Sequence, residues 1–220
     1  PLPSGRINKT VAMIAIISGC IISFGSLFLA GQIANDLTDN FEDWYPTIVI
    51  WFLALALLLN YEDDRVLLGL KNRGLPGNLA ISISVGLVVL FGAAGIFDPL
   101  NQRAVSLFVI GTLYNLSREI IKDVEDMDGD KGRHTYAMRV GADKARLTSW
   151  VILLITLVAL LTPFAMGVFE LLHIIFLAPG LFTLMNVKKH IYLAEDTAAS
   201  RMIKTSMTLT MVGLILAAII

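Results

Sequence analysis

The sequence is short of charge, of cysteine and of clustered histidine, and each shortage excludes a class of protein or site. Only 16% of its 220 residues are charged, which is less than a soluble domain of this size carries. The single cysteine, Cys20, excludes a disulfide within the chain, and the three histidines are scattered, so neither a disulfide framework nor a zinc site is expected. The net charge of −1 gives no indication of a nucleic-acid partner.

Apolar residues are correspondingly abundant. They make up 56% of the chain, the mean hydropathy is +0.74, and they form long blocks of the kind that crosses a bilayer. The sequence therefore predicts an all-α fold, a polytopic transmembrane helical bundle. The seven predicted spans are Thr10–Ala34, Pro46–Leu59, Asn78–Phe97, Gln102–Leu116, Leu147–Thr162, Glu170–Val187 and Met207–Ile220.

The last predicted span is short. Met207–Ile220 cannot cross a bilayer unless more chain follows, and the polar segment before it, Lys188–Lys204, is expected to form an interfacial helix. The chain also starts without Met, at Pro1. We therefore expect both ends to be incomplete and residues 1–220 to belong to a single transmembrane domain.

Lysine and arginine are concentrated in alternate loops. They cluster before the first span, at Asn60–Gly77, at Arg118–Arg146 and at Lys188–Lys204, whereas the loops between hold almost none, Arg103 being the exception. The positive-inside rule places the basic loops in the cytoplasm. The sequence thus predicts a multi-pass protein of the cell membrane whose basic loops share the cytoplasmic face.

One polar stretch, YNLSREIIKDVEDMDGD at Tyr114–Asp130, interrupts the apolar background. Carboxylates stacked on one helix face repel one another, and a bound cation would relieve that repulsion. Hard oxygen ligands without His or Cys suit Mg²⁺ completed by substrate phosphates. The stretch could instead be an ordinary charged surface, but charge at a membrane exit is costly and tends to be functional. At about 100° per residue on a helix, the side chains that share one quarter-turn arc are Asn115, Glu119, Asp123, Asp126 and Asp130.

The same stretch resembles the second aspartate-rich motif of the UbiA-type intramembrane prenyltransferases, and most of all the archaeal branch, the digeranylgeranylglyceryl phosphate synthases. Three further segments are similar to the family in the same order: Pro1–Arg6 (PLPSGR), Lys71–Asn78 (KNRGLPGN) and His134–Gly141. The resemblance covers essentially the whole chain. It departs from the family before Lys71, where the family often has Tyr and this chain has Leu67 and Leu68, with Tyr61 further back.

The resemblance implies a fold and a set of roles. The fold would be a bundle of about nine helices around a lipid-open cavity with a cytoplasmic cap, so this chain would lack the first two helices and the first aspartate-rich motif. The two motifs would each hold Mg²⁺ against the diphosphate of a prenyl donor. The expected catalytic and metal-binding residues are Asp123, Asp126 and Asp130, and the expected substrate-binding residues are Lys71, Arg73, Asn115, Arg118, Lys122 and Tyr114.

A second acidic segment, Asn35–Asp43, reads NDLTDNFED and fits the spelling of the family's first motif. Only one predicted span separates it from Pro1–Lys9, so it should face the side of the membrane opposite Asp123. Metal ions on opposite sides of a bilayer about 30 Å thick cannot hold one diphosphate. We therefore interpret Asn35–Asp43 as a solvated turn.

The resemblance implies Mg-dependent transfer of a geranylgeranyl group from geranylgeranyl diphosphate to the hydroxyl of a lipidic acceptor, geranylgeranylglyceryl phosphate, in archaeal ether-lipid synthesis. The near alternative is an aromatic acceptor of the quinone, haem or chlorophyll type. The sequence also leaves open a transporter-like bundle and an inactive fragment. A transporter would place ionisable groups near mid-membrane, whereas these acids lie at one membrane exit. No protein partner and no nucleic acid are predicted.

Overall fold

The computed structural model describes residues 8–62, 68–129 and 134–220, and within these residues the protein is helical and has no strands. Among the described residues, seven helical segments are long and apolar enough to cross a bilayer, which confirms the predicted polytopic all-α class. The α-helices are α1 (Lys9–Thr38), α2 (Tyr45–Glu62), α3 (Leu75–Ala94), α4 (Gln102–Glu125), α5 (Tyr136–Val140), α6 (Ala142–Ala165), α7 (Ala178–Tyr192) and α8 (Asp196–Ile219). Short 3₁₀ helices occupy Phe41–Trp44, Leu70–Arg73 and Leu171–Leu177.

Pro1–Val49 forms one compact unit, which contains α1 and the start of α2. α1 continues past its predicted end at Ala34 and stops at Asp39, which adopts the left-handed conformation with φ 54°. The segment Asn35–Asp43, which we interpreted as a solvated turn, is therefore helical in its first half. The 3₁₀ helix that follows packs back on α1, where Trp44 Nε1 donates a hydrogen bond to Leu27 O at 3.2 Å.

Ile50–Ile220 forms the second compact unit, and α4 is its central helix. α4 packs against α3, α6 and α8, and α7 packs on α8. The apolar core lies between α4, α6, α7 and α8 and includes the fully buried residues Leu153, Leu184 and Ile203. Polar side chains join the same helices, because Ser117 Oγ on α4 lies 2.7 Å from Ser149 Oγ on α6.

α8 differs from the prediction for the end of the chain. It begins at Asp196 rather than Met207, so the last span has 24 residues and is long enough to cross a bilayer. The expected interfacial helix at Lys188–Lys204 is not formed. Instead, α7 continues to Tyr192, a turn with φ 57° at Ala194 follows, and the remaining polar residues belong to the first turns of α8.

The sixth predicted span, Glu170–Val187, is also not one continuous α-helix. A 3₁₀ helix fills Leu171–Leu177, and α7 starts only at Ala178. Pro179 stands in the first turn of α7, where its missing N–H costs nothing. Proline has no N–H to donate to the carbonyl four residues before it, and its ring would clash with that carbonyl, so an α-helix tends to begin rather than continue there.

Candidate active site

The last turns of α4 carry the predicted acidic stretch. α4 ends at Glu125, and the N–H of Asp126 still donates to Lys122 O at 2.9 Å. The helical arc predicted from Glu119 through Asp126 is therefore present, while the opposite side of these turns is buried against the protein. Asp130, the third predicted metal ligand, lies outside the described residues.

A polar cavity of about 320 Å³ lies beside these turns. Its wall combines three carboxylates with two amines, so charges of both signs surround one space. The wall is assembled from the end of α2, the 3₁₀ helix at Leu70–Arg73, the start of α3, the end of α4 and the residue before α5. The lining residues are Tyr61, Lys71, Asn78, Ile81, Glu119, Lys122, Asp123, Asp126 and Thr135.

Asn78 positions Asp123 in this cavity. Its side-chain Nδ2 donates to Asp123 Oδ2 at 2.9 Å, and Asn78 itself is only 6% exposed. The first turn of α3 is held against the preceding 3₁₀ helix at Gly77, where an added Cβ would lie 2.3 Å from Leu70 O. The segment at Lys71–Asn78, which the sequence placed on the same side of the membrane as the acidic stretch, therefore contacts that stretch directly.

A second polar layer joins α3 to α4 next to this bond. Ser82 Oγ donates to Asn78 O at 2.6 Å and accepts from Asn115 Nδ2 at 3.3 Å. Asn115 is 6% exposed and is not among the residues that line the cavity. The structure thus places the predicted substrate ligand Asn115 in the packing that supports Asn78.

Two predicted amines reach the cavity. Lys71 Nζ lies 5.8 Å from the centre of the Tyr61 ring, within the range of a cation–π contact, and both residues line the cavity together with Lys122. Tyr61 is remote from the sequence position at which the family often has a tyrosine. The fold nevertheless brings its ring beside Lys71.

Tyr114 is placed elsewhere. Its side chain is fully buried, and its hydroxyl lies 3.0 Å from Ser206 Oγ and 3.1 Å from Thr210 Oγ1 on α8. Tyr114 and Asp123 are nine positions apart, which at about 100° per residue puts them on opposite faces of α4. This placement does not bring Tyr114 to the cavity, contrary to the predicted substrate contact.

Two predicted arginines also lie outside the cavity wall. Arg73 Nε donates to Leu68 O at 2.7 Å. Arg118 pairs with its neighbour Glu119 at 2.7 Å, and its Nε has no hydrogen-bond partner in the described part of the chain. Arg118 therefore adjoins the cavity through Glu119 rather than lining it.

The donor set of the cavity fits a hard divalent cation that shares its ligands with a substrate. Within residues 8–62, 68–129 and 134–220, no group of three or more His, Cys, Asp or Glu is arranged to hold a metal by itself. Glu119, Asp123 and Asp126 nevertheless line one space. Mg²⁺ is commonly held by one or two carboxylates, with water and substrate phosphates completing its shell.

Five lining residues were not among the predicted site residues: Tyr61, Asn78, Ile81, Glu119 and Thr135. Glu119 had a signal in the sequence, because it precedes Asp123 by one helical turn on the same face. Asn78 closes a segment that resembles the family. Thr135 likewise belongs to a segment that resembles the family, His134–Gly141. Tyr61 had no such signal, since only tertiary packing brings it to this space.

Helices long and apolar enough to cross a bilayer, with a cavity of mixed charge where two of them end, define a polytopic membrane protein. The family model described as the UbiA prenyltransferase family matches residues 1–212. The chain therefore belongs to the UbiA prenyltransferase family.

Curated relatives carry a more specific name, digeranylgeranylglyceryl phosphate synthase. The protein of that name from Haloquadratum walsbyi is 29% identical over 184 residues, which cover 82% of this chain and 57% of the relative. The one from Sulfurisphaera tokodaii is 33% identical over 181 residues, covering 80% and 57%. The one from Methanosarcina mazei is 30% identical over 223 residues, covering 98% and 69%. The chain thus spans 57% of the length of the first two relatives.

A solved structure has the same fold. It is described as giving structural and mechanistic insights into the biosynthesis of digeranylgeranylglyceryl phosphate synthase in membranes, and it matches with a TM-score of 0.70. The match covers 99% of this chain and 72% of the other at 23% sequence identity. At this identity the likeness establishes the helical architecture alone.

Proposed function

We propose that this chain transfers a geranylgeranyl group from geranylgeranyl diphosphate to the hydroxyl of geranylgeranylglyceryl phosphate, in archaeal ether-lipid synthesis. The observation that carries the proposal is that Asp123 and Asp126 line the same cavity as the amines of Lys71 and Lys122. Membership of the family supports prenyl transfer, and the names of the relatives support this pair of substrates.

The two kinds of charge suit two parts of a metal diphosphate. Ammonium groups bind anionic phosphate oxygens directly, so Lys71 and Lys122 would contact the diphosphate. Glu119, Asp123 and Asp126 would hold Mg²⁺, which, when bound, neutralises charge on the leaving group. The bond from Asn78 to Asp123 would keep one of these carboxylates oriented before substrate arrives.

The reaction exchanges one C–O bond for another. The bond between C1 of the prenyl chain and the bridging diphosphate oxygen breaks, and diphosphate leaves with the electron pair. A lone pair of the acceptor hydroxyl forms the new ether bond to C1, and the hydroxyl proton is lost to the aqueous side of the cavity. Because C1 acquires cationic character, the apolar spans would protect it from attack by water.

We propose that the cavity opens on the cytoplasmic side of the cell membrane. Lys71 and Lys122 line it and belong to the lysine- and arginine-rich loops, which the positive-inside rule assigns to the cytoplasm. Reporter fusions to the loop at residues 98–101 and to the loop at residues 193–195 would test this assignment. The proposal requires the second loop, and not the first, to be cytoplasmic.

The test of the reaction is a transfer assay on membranes that contain the full-length protein. Radiolabelled geranylgeranyl diphosphate is supplied with geranylgeranylglyceryl phosphate or with a phenolic acceptor, in Mg²⁺ or in a chelator. We expect product only with the glycerol phosphate and only with Mg²⁺. Product with the phenol alone would reassign the acceptor, and full activity in chelator would contradict the metal-binding role.

Asp123→Asn and Asp126→Asn are each expected to lower transfer about 100-fold, because an amide is a poor ligand for a hard cation and leaves the diphosphate charge unbalanced. Asp128→Asn is the matched control. Asp128 is exposed just after the same helix and does not line the cavity, so this variant should keep its activity. Similar losses in all three variants would contradict the assignment.

A further inference from the structure

Thr135 carries a buried hydroxyl that the proposed function does not use. The residue is only 4% exposed, and its Oγ1 has no hydrogen-bond partner within the part of the chain that the structure describes. It lines the same cavity as Lys71 and Lys122. Because a buried hydroxyl without a partner has lost its hydrogen bonds to water, this position favours a partner that binds in the cavity.

The backbone around Thr135 makes the unpaired hydroxyl more informative. Thr135 is the N-cap residue of α5, with the extended conformation (φ −63°, ψ 165°) usual for that position. A threonine there normally accepts a hydrogen bond from a backbone N–H two or three residues on. The side chain of Thr135 makes no such bond, so α5 does not account for the hydroxyl.

Two other threonines show that burial of an unpaired hydroxyl is not by itself the informative feature, and that its position in the cavity matters. Thr47 and Thr112 also have buried hydroxyls without a partner in the described residues. Neither of them lines the cavity, and Thr112 sits where α4 passes close to Gly86 of α3. Among these three threonines, Thr135 alone combines an unpaired hydroxyl with a space that already contains ammonium groups.

We propose that the Thr135 hydroxyl donates a hydrogen bond to a phosphate oxygen of a substrate bound in this cavity. A hydroxyl can donate as well as accept, and a hydrogen bond to an anionic oxygen is stronger than one between neutral groups. The ammonium groups of Lys71 and Lys122 favour the same anionic partner. The inference rests on the proposed function, and the phosphate belongs either to the prenyl diphosphate or to the acceptor.

Thr135→Val tests this directly, because it removes the hydroxyl and nearly keeps the shape. In the full-length enzyme we expect the KM for one phosphate substrate to rise about 10-fold, with kcat and the other KM little changed. The substrate whose KM rises identifies the phosphate. Thr135→Ser should restore the wild-type value. Thr112→Val, which removes an equally buried and unpaired hydroxyl away from the cavity, should leave both KM values unchanged.

The Tm of the substrate-free protein distinguishes phosphate binding from a purely structural role, because loss of a structural hydrogen bond would lower it. Replacing an unpaired buried hydroxyl by a methyl group should leave the Tm of the substrate-free Thr135→Val protein unchanged or raise it. Inorganic diphosphate with Mg²⁺ should stabilise the wild-type protein against heat. If the diphosphate is the partner of Thr135, the concentration needed for half of this stabilisation should rise about 10-fold in the variant. A lowered Tm with unchanged KM values would overturn the inference.

The outcomes also separate this inference from the proposed function. If the wild-type protein transfers the prenyl group and Thr135→Val has the same KM for both substrates, the inference fails and the function stands. If the wild-type protein transfers nothing but its stabilisation by inorganic diphosphate depends on Thr135, the phosphate contact stands and the proposed reaction fails.

Discussion

Asn78 keeps Asp123 in one orientation, since its amide donates to Oδ2 at 2.9 Å and is buried at the start of α3. Partners that orient a metal-binding carboxylate change affinity or activity about 10- to 100-fold when they are removed. We therefore predict that Asn78→Ala lowers kcat/KM about 10- to 100-fold and raises the Mg²⁺ concentration needed for half-maximal activity. Both quantities are measured on the full-length enzyme in membranes.

Asn186→Ala provides the matched control at the residue scale. Asn186 is exposed on α7, and its amide also makes one hydrogen bond, to Phe182 O at 2.8 Å. Its removal should change neither kcat/KM nor the Mg²⁺ requirement. If Asn78→Ala lowered activity without altering the Mg²⁺ requirement, the orienting role of Asn78 would be wrong.

At the scale of the element, the cavity depends on how closely α3 approaches α4. An added Cβ at Gly86 would lie 2.3 Å from Thr112 Oγ1 and 2.8 Å from Phe108 Cδ2. Gly86→Ala should therefore push the helices apart and destabilise the protein by about 1–3 kcal/mol. Because α3 carries Asn78 and α4 carries Asp123, transfer activity should fall as well. Thermal unfolding in detergent and the transfer assay measure the two effects.

Gly92→Ala on the same helix controls for the change of residue type. An added Cβ at Gly92 meets nothing within 4 Å, and alanine is the better helix former by about 0.5–1 kcal/mol. This variant should be as stable as the wild type or slightly more so. Equal stability of Gly86→Ala and Gly92→Ala would mean that α3 and α4 are not in close contact at Gly86.

Hydropathy predicted the end of a helix correctly only where the apolar run itself begins or ends there. α4 starts at its predicted first residue, Gln102, but continues past the predicted end of its span, Leu116, to Glu125. The start of α8 was missed because the charges of Asp196, Arg201 and Lys204 favoured a separate interfacial helix. Arg201 and Lys204 instead lie on the exposed side of α8. A charged residue disfavours placing that position in the hydrocarbon core of the bilayer, but a helix can continue through charged residues at the bilayer edge.

The site was predictable only as far as helical geometry reaches. Asp123 and Asp126 follow from their shared arc on one helix. The same geometry could have excluded Tyr114, which shares the motif but lies on the opposite face of α4. Tyr61 could not be predicted, and Thr135 was indicated only by the family resemblance of His134–Gly141. Their place beside the acids depends on how α2, α4 and α5 pack, which periodicity within a single helix does not report.

At the scale of the second compact unit as a whole, charged and polar residues join the helix ends next to the cavity. Arg146 at the start of α6 donates to both carboxylate oxygens of Asp196 at the start of α8, at 2.8 and 2.7 Å. Thr197 Oγ1 donates to Glu125 Oε1 at the end of α4, at 2.8 Å. These contacts fix the ends of three helices at one place, so they stabilise the turns of α4 that carry the acids without lining the acidic cavity.

Arg146 allows a shielded ion pair to be compared with an exposed one, because it binds two carboxylates that differ in their exposure to solvent. The side chain of Asp196 is 13% exposed, whereas that of Asp143, bound at 2.9 Å, is 98% exposed. Asp196→Asn should destabilise the protein by about 1–3 kcal/mol, since it leaves the shielded guanidinium without its paired charge. Asp143→Asn should have a much smaller effect that disappears in high salt, because water and ions screen an exposed pair.

Thermal unfolding in detergent at low and high salt measures both substitutions. The loss caused by Asp196→Asn should persist at high salt. The variant should keep the wild-type KM for both substrates below its Tm, because Asp196 lines a different cavity from the one lined by Asp123 and Asp126. Equal and salt-sensitive effects of the two substitutions would mean that the Arg146–Asp196 pair is an ordinary surface contact. The end of α4 would then be held by its other contacts, chiefly its apolar face with the fully buried residues Ile120 and Ile121.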